Sequence, residues 1–376
     1  TTKDIPLPTR VFRFYANMIQ IDHPWKVNDP SNPDLERSLR FEKDETVGWA
    51  LVGSGTQFKY QVYFNKQFPY IHQNIVHLNL GVSYPTFAGQ DVMKVITGGQ
   101  GKTDSRELTF PTGVTVKSAA NFYSRQYQAT EKLSSQEKKL FNDNYAITDN
   151  IYQDPSMIGI SFRMGVIAVL LAYGIGIPFA LLMARYKGRF PDKLGIGLVT
   201  VLISVPGLAF IYFFRFLGSN WFGLPDSFPT FGAGDIRSYV LPTVILGLLS
   251  VSSIIIWIRR YMIDQQSADY VKFAKAKGLN TREIARKHIF KNAAIPIANQ
   301  IPMSIIGAIT GATITETVFA TPGMGKMLPD AIMANNNPIV IAVVFIFTTV
   351  AVTSVLLGDL TMAMVDPRIN LAERGE

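Results

Sequence analysis

Beyond about residue 157, apolar residues come in long runs separated by short polar stretches, whereas before it apolar and polar positions are interleaved. A helix needs roughly 20 apolar residues to cross ~30 Å of hydrocarbon, because lipid offers the backbone no hydrogen-bond partner. Five runs meet that length, at about 164–184, 194–214, 241–258, 297–317 and 339–358. The third is short and the fourth carries several hydroxyls. Pro178 and Pro206 fall inside apolar runs and each removes a helix hydrogen bond, which predicts kinks or broken turns. Gly307 and Gly311 have the spacing that lets a second helix approach closely. Glu316 and Asp359 stand near the ends of their runs, where a carboxylate is expected to find a structural partner.

Residues 1–156 read differently. Val11, Phe14, Met18 and Ile21 recur at helical spacing, predicting a helix that lies on a bilayer surface or packs on its own domain. The segment FKYQVYF, 58–64, alternates Phe58, Tyr60, Val62 and Phe64 on one side and predicts a strand. Around Pro111, Thr112 and Gly113 the pattern predicts a hairpin, and Ser134 with Glu137 predicts a capping box opening a short helix. The expectation is a mixed α/β domain inserted ahead of an all-α polytopic membrane part, 157–370, with a tail at 371–376.

Charge sets the expected orientation. The chain carries a net +8, yet residues 1–150 hold 17 Lys and Arg against 15 Asp and Glu, so little of the surplus is there. The segment 259–296 holds nine basic residues against three acidic ones, and Arg185, Lys187, Arg189 and Lys193 follow the first run. Short basic loops stay in the cytoplasm, which places residues 1–156 outside the cell and the C-terminus inside. The stretch TTKDIPLPTR at the front lacks signal-peptide order.

Several chemistries drop out. With no cysteine, disulfides, thiolate metal sites and cysteine nucleophiles are excluded. The stretch GGQGKT at 98–103 ends like a phosphate-binding loop, but Ile96 stands where that motif needs glycine. An intramembrane protease would need Ser and His or paired Asp within the runs; no His lies in one, and Asp359 has no second Asp to partner it.

The segment 269–296, DYVKFAKAKGLNTREIARKHIFKNAAIP, divides at Gly278. Before it Tyr270, Phe273 and Ala274 share one side, with Lys272, Lys275 and Lys277 turned elsewhere; after it Asn280 or Thr281 is a plausible N-cap and Ile284, His288 and Ile289 share a face. Glycine suits the left-handed residue that ends one helix before the next begins. The result is a short helix, a bend and a second helix, held between two spans and suited to inserting into a groove on another protein.

This segment resembles the cytoplasmic EAA loop of ABC-importer permeases, in its peptide-transport form. In family order, SYVLPTVILGL at 238–248 and RRYMID at 259–264 resemble the entry to and exit from the preceding span. GATITETVFATPGMGKMLPDAI resembles the segment GG-x-x-x-x-E-T-x-F-x-x-P-G-x-G, here Glu316, Pro322, Gly323 and Gly325. The C-terminal signature is matched by Asp366, Pro367 and Arg368, and 78–96 is similar to the outer segment of B-type oligopeptide subunits. Lys272 and Phe273 stand where the loop's name-giving glutamate and first alanine would be, Asn79 replaces an aspartate, and the long outer region resembles that of streptococcal, Gram-positive Ami-type systems.

The resemblance implies a type I ABC importer permease fold and the B-type membrane subunit of an oligopeptide importer. Dipeptides, nickel or glutathione remain alternative cargoes. It implies a second homologous permease subunit, two ATPase subunits that bind ATP and Mg, and an extracytoplasmic peptide-binding lipoprotein; because hydrolysis then lies with the partners, it implies that this chain is not an enzyme and has no catalytic residue, metal site or bound cofactor of its own. It also implies one more membrane helix ahead of residue 1, making six. The residues expected to meet the ATPase are Lys272, Phe273, Ala274, Ala276, Lys277, Gly278 and Leu279, with Ala274→Asp expected to uncouple hydrolysis from uptake.

Overall fold

The structure, a computed structural model, describes residues 5–64, 71–84, 89–98, 103, 105–150, 156–228, 230–231 and 235–365. The chain divides into two compact units, one formed by residues 1–95 and 99–155, the other by 96–98 and 156–376.

In the first unit short strands dominate. Helix α1 (Leu7–Met18) leads into β1 (Ile19–Ile21), so the helical spacing that runs on to Ile21 stops at Met18. There the chain turns extended, because Ile19–Ile21 pairs antiparallel with Val76–Leu78. An antiparallel sheet in the order β2-β3-β4-β5 joins Ser38–Asp44, Gly48–Ser54, Tyr60–Tyr63 and His72–Gln73. Beyond it lie β6 (Val76–Leu78), β7 (Val82–Ser83), β8 (Gln90–Asp91) and α2 (Val92–Thr97). Strands β9 (Arg106–Thr109) and β10 (Thr115–Ser118) form the expected hairpin. Then come β11 (Ala120–Gln126), α3 (Ser135–Leu140) and β12 (Ile147–Asn150). Ser134 and Glu137 close both halves of the capping box on α3.

The alternation in 58–64 predicts one buried side, yet both Tyr60 and its neighbour Gln61 are buried. Gln61 is tolerated inside because its amide donates to Asp22 Oδ2 at 2.7 Å, and Asp22 also accepts from the backbone N–H groups of Gln57 and Phe58. Buried Arg125 is held likewise, donating to the carbonyl of Tyr145 and to Asp143.

Asp29 offers a pH test of this unit. Its carboxylate accepts from the backbone N–H of Thr130, and also from Ser31 and the Tyr127 hydroxyl, at 3.0 to 3.1 Å. The Thr130 bond, ahead of the others, holds its pKa down at about 2. A depressed carboxyl stabilises the fold above its unfolded value, ~3.9, and loses that contribution as pH falls through its folded value. The Thr130 amide is therefore expected to exchange hydrogen faster in Asp29→Asn than in wild type at neutral pH. The difference should shrink between about pH 4 and 2; a gap unchanged at pH 2 would refute it.

The second unit is helical, with α4 (Met157–Arg185), α5 (Phe190–Ser204), α6 (Gly207–Phe222), α7 (Arg237–Gln266), α8 (Asp269–Ala276) and α9 (Thr281–Ile284). A π-helical turn, Ala285–Phe290, runs into α10 (Lys291–Phe319), followed by α11 (Met324–Met333) and α12 (Asn337–Val365). Among the described residues, four helices are long and apolar enough to cross a membrane.

The expected run at 194–214 is built from two helices, α5 and α6, bent by 104°, with the break that Pro206 predicts. The break falls at Val205 and Pro206: proline disfavours the helical conformation at the residue before it, and Val205 is extended, with ψ 126°. Pro178, by contrast, sits within an unbroken α4.

Helices α4 and α7 pack closely around Gly247, where an added Cβ would lie 2.9 Å from the Ala168 carbonyl oxygen. Among the described residues the close approach expected at Gly307 is not made, since a Cβ there would meet nothing within 4 Å.

Candidate functional site

The loop between α7 and α10 takes the predicted form. Gly278 has φ +79°, a left-handed conformation that side chains disfavour, and it separates α8 from α9. Asn280 is the N-cap, its Oδ1 accepting from Glu283 N at 2.8 Å. The Glu283 carboxylate, paired with Lys287 at 2.7 Å, is held below the usual range by that bond. The six-residue π-helical stretch at 285–290 has no signal in the sequence.

One side of α8 belongs to the chain's own core. Val271 and Ala274 are buried in a cluster with Ile284 and Ile289, and Tyr270 and Leu279 pack partly against it. This corrects the expectation for Ala274. With 6% of its surface exposed, its methyl faces this chain, and Ala274→Asp would bury a charge in the loop's own support.

The other side is open. Phe273, grouped with Tyr270 and Ala274 by spacing alone, points the other way and is 69% exposed. Around it Lys272, Ala276, Lys277 and Gly278 are exposed. Lys272 pairs with Asp269 at 2.8 Å, an exposed pair worth little. The arrangement presents an aromatic ring within a basic rim on a helix stiffened from behind.

A clamp absent from the sequence reading fixes the base of this platform. Asp192, buried in the first turn of α5, meets Arg259 of α7 in a bidentate pair, 2.7 and 2.8 Å, and accepts from Gly188 N at 2.7 Å. Planar two-point pairing needs a guanidinium. Because Asp192 is buried, Arg259→Ala is expected to cost about 3 kcal/mol. Arg259→Lys should recover less than half, read as thermal unfolding in detergent; full rescue by lysine would show that geometry does not matter.

The second constellation explains the E-T-x-F-x-x-P-G-x-G segment. Glu316, fully buried in the last turn of α10, accepts from Ser161 Oγ at 2.6 Å and from the backbone N–H of Lys326 at 2.9 Å. Ser161 Oγ accepts in turn from Met324 N at 2.8 Å. The carboxylate thus satisfies orphan donors in the first turn of α11, where a negative group is favoured.

Buried Pro322 starts the approach. A Cβ on Gly323 would lie 2.2 Å from Glu316 Cδ, and one on Gly325 2.9 Å from its Oε2. Both glycines are required because the carboxylate occupies the space a side chain would fill. Glu316 is the structural tie expected of it; Ser161 is the partner that sequence reasoning missed. Asp366, Pro367 and Arg368 lie outside the described residues.

Residues 176–371 match the family model described as "Binding-protein-dependent transport system inner membrane component". Over all 376 residues, and 75% of the relative's length, the chain is 54% identical to the oligopeptide transport system permease protein AmiC of Streptococcus pneumoniae. Over 56% of this chain and 69% of the relative, it is 30% identical to the dipeptide transport system permease protein DppB of Lactococcus lactis subsp. cremoris. A chain of the methionine ABC transporter MetNI, inward facing, aligns over 55% of this chain and 93% of its own at 14% identity and TM-score 0.46.

Proposed function

Because this chain belongs to the family of binding-protein-dependent transport system inner membrane components, we propose that it is the membrane permease subunit of an ATP-driven oligopeptide importer. One observation carries the cargo class. Identity to the oligopeptide relative extends over the whole chain, first unit included, whereas the dipeptide relative matches 56% of it. In ABC importers ATP hydrolysis belongs to separate ATPase subunits, so this subunit performs no covalent chemistry.

The chain resides in the membrane as a multi-pass protein. In the proposed topology residues 1–156 lie outside and the 259–296 loop inside, which the basic surplus of that loop supports. The proposed assembly adds a second homologous permease subunit, two ATPases that bind ATP and Mg, and a peptide-binding lipoprotein outside. The passage then lies between the two permeases.

ATP-driven closure of the ATPase pair would draw the two loops together and turn the spans outward. Phe273, Lys272, Ala276, Lys277 and Gly278 make the docking face, while Ala274 and Leu279 hold the helix from behind. The exposed ring of Phe273 and its stiff backing support this assignment.

Uptake of a labelled pentapeptide by cells deleted for this chain tests the reading. Full-length wild type is expected to restore it. Uptake undiminished by deletion, in cells lacking a redundant system, would move the cargo elsewhere.

A further inference from the structure

A cavity of about 800 Å³ opens where the C-terminal ends of α4 and α7 meet α8 and the π-helical turn. Most of its wall is apolar, with Met262, Val271, Ile289 and Phe290 among the lining residues. Among the described residues its charged members are Arg185 and Lys275, and no carboxylate lines it. Neither cation pairs with a carboxylate among the described residues; Arg185 stacks only on the ring of its neighbour Tyr186, 5.4 Å away.

The wall and the charges ask for different things from one occupant. A free phosphate would satisfy the cations and leave the apolar wall wet. A neutral acyl chain would cover the wall and leave the cations unmatched. An amphiphile with an anionic head does both, and the cavity lies at the ends of two helices long enough to cross a membrane, where headgroups are found.

We propose that this cavity binds an anionic phospholipid, its phosphate held between Arg185 and Lys275 and the start of one acyl chain against Met262 and Ile289. The volume falls in the range of small-molecule sites. Val271 and Lys275, which line the cavity, share α8 with Phe273. Lipid in the cavity therefore stiffens the helix that carries the docking face. The site rests on the reading that α4 and α7 cross the membrane with these ends at the inner surface.

The test uses the purified importer complex in phosphatidylcholine nanodiscs doped with phosphatidylglycerol, with retained lipid counted by native mass spectrometry. Arg185→Gln with Lys275→Gln should lower retained phosphatidylglycerol on the order of tenfold. Ala285→Phe, which fills the cavity and keeps both charges, should do the same. The pair Lys287→Gln with Lys291→Gln removes equal charge from exposed positions that do not line the cavity and should leave the retained lipid unchanged.

Helical circular dichroism matching wild type establishes that each variant is folded, and the swap of Arg185→Lys with Lys275→Arg should retain the lipid. Equal loss in the control pair, no loss in the cavity variants, or equal retention of phosphatidylcholine would each overturn the site. Because the readout is bound lipid, a complex that retains it and carries no peptide would refute the importer reading and leave the site standing.

Discussion

Replacing Phe273 with Asp is expected to lower peptide uptake at least about tenfold while the chain still folds, inserts and assembles with the proposed second permease. The ring is 69% exposed midway along a helix whose other side is packed into the chain's core, so the change removes nothing that holds the loop together. Aromatic anchors at the centre of an interface commonly cost about 2 kcal/mol or more when removed, which is more than tenfold in affinity. Asp adds a charge that the groove must desolvate. Ala274→Asp should look different: it strikes the buried side, so lost uptake should come with lost protein. A Phe273→Asp chain with normal uptake would dismiss the ring as an anchor.

The second large effect lies at the other end of α10. Glu316→Ala is expected to cost about 3 kcal/mol or more, because it leaves Ser161 and the Lys326 N–H buried without their acceptor. Gly323→Ala should cost about 1–3 kcal/mol by overpacking, since its methyl must enter the space of the carboxylate. The backbone there, φ −100°, is open to any residue, so strain plays no part.

The two effects should not add. With the carboxylate already gone, Gly323→Ala should be close to neutral. Unfolding of the four chains in mixed detergent and SDS measures the coupling; strict additivity would show that the glycine and the carboxylate do not contend for one space.

What the sequence reveals here follows the range of each interaction. Apolar runs of about 20 residues are visible because lipid imposes length directly, and four of the five expected spans fall within long helices. Pro206 announced a break, but its 104° angle depends on what α5 and α6 pack against. The β9–β10 hairpin and the Ser134 cap were legible because their partners are a few residues away. The pairing of β1 with β6 was not, since nothing local links Ile19 to Leu78.

The loop shows the same limit. Spacing puts Tyr270, Phe273 and Ala274 on one arc, and only the packing of Val271 and Ala274 on Ile284 and Ile289 says which edge of it turns inward. Glu316 was expected to have a partner, but Ser161 lies 155 residues away, and Asp192 finds Arg259 across 67. An ionic pair closed by the fold leaves no periodic trace.

The lack of cysteine makes one measurement unusually direct. Phe273→Cys introduces the one thiol within residues 1–376, at the centre of the proposed docking face, and a thiol-specific crosslinker applied to membranes of cells expressing the protein with no cysteine outside these residues reports what lies against it. The account predicts one dominant adduct, with an ABC ATPase subunit, formed only when the cytoplasmic side is accessible and absent from the buried Ala274→Cys control. A thiol at that position that reacts freely from the outside, or that reacts from the inside and captures no ATPase, would contradict the claim that this loop couples the permease to its motor.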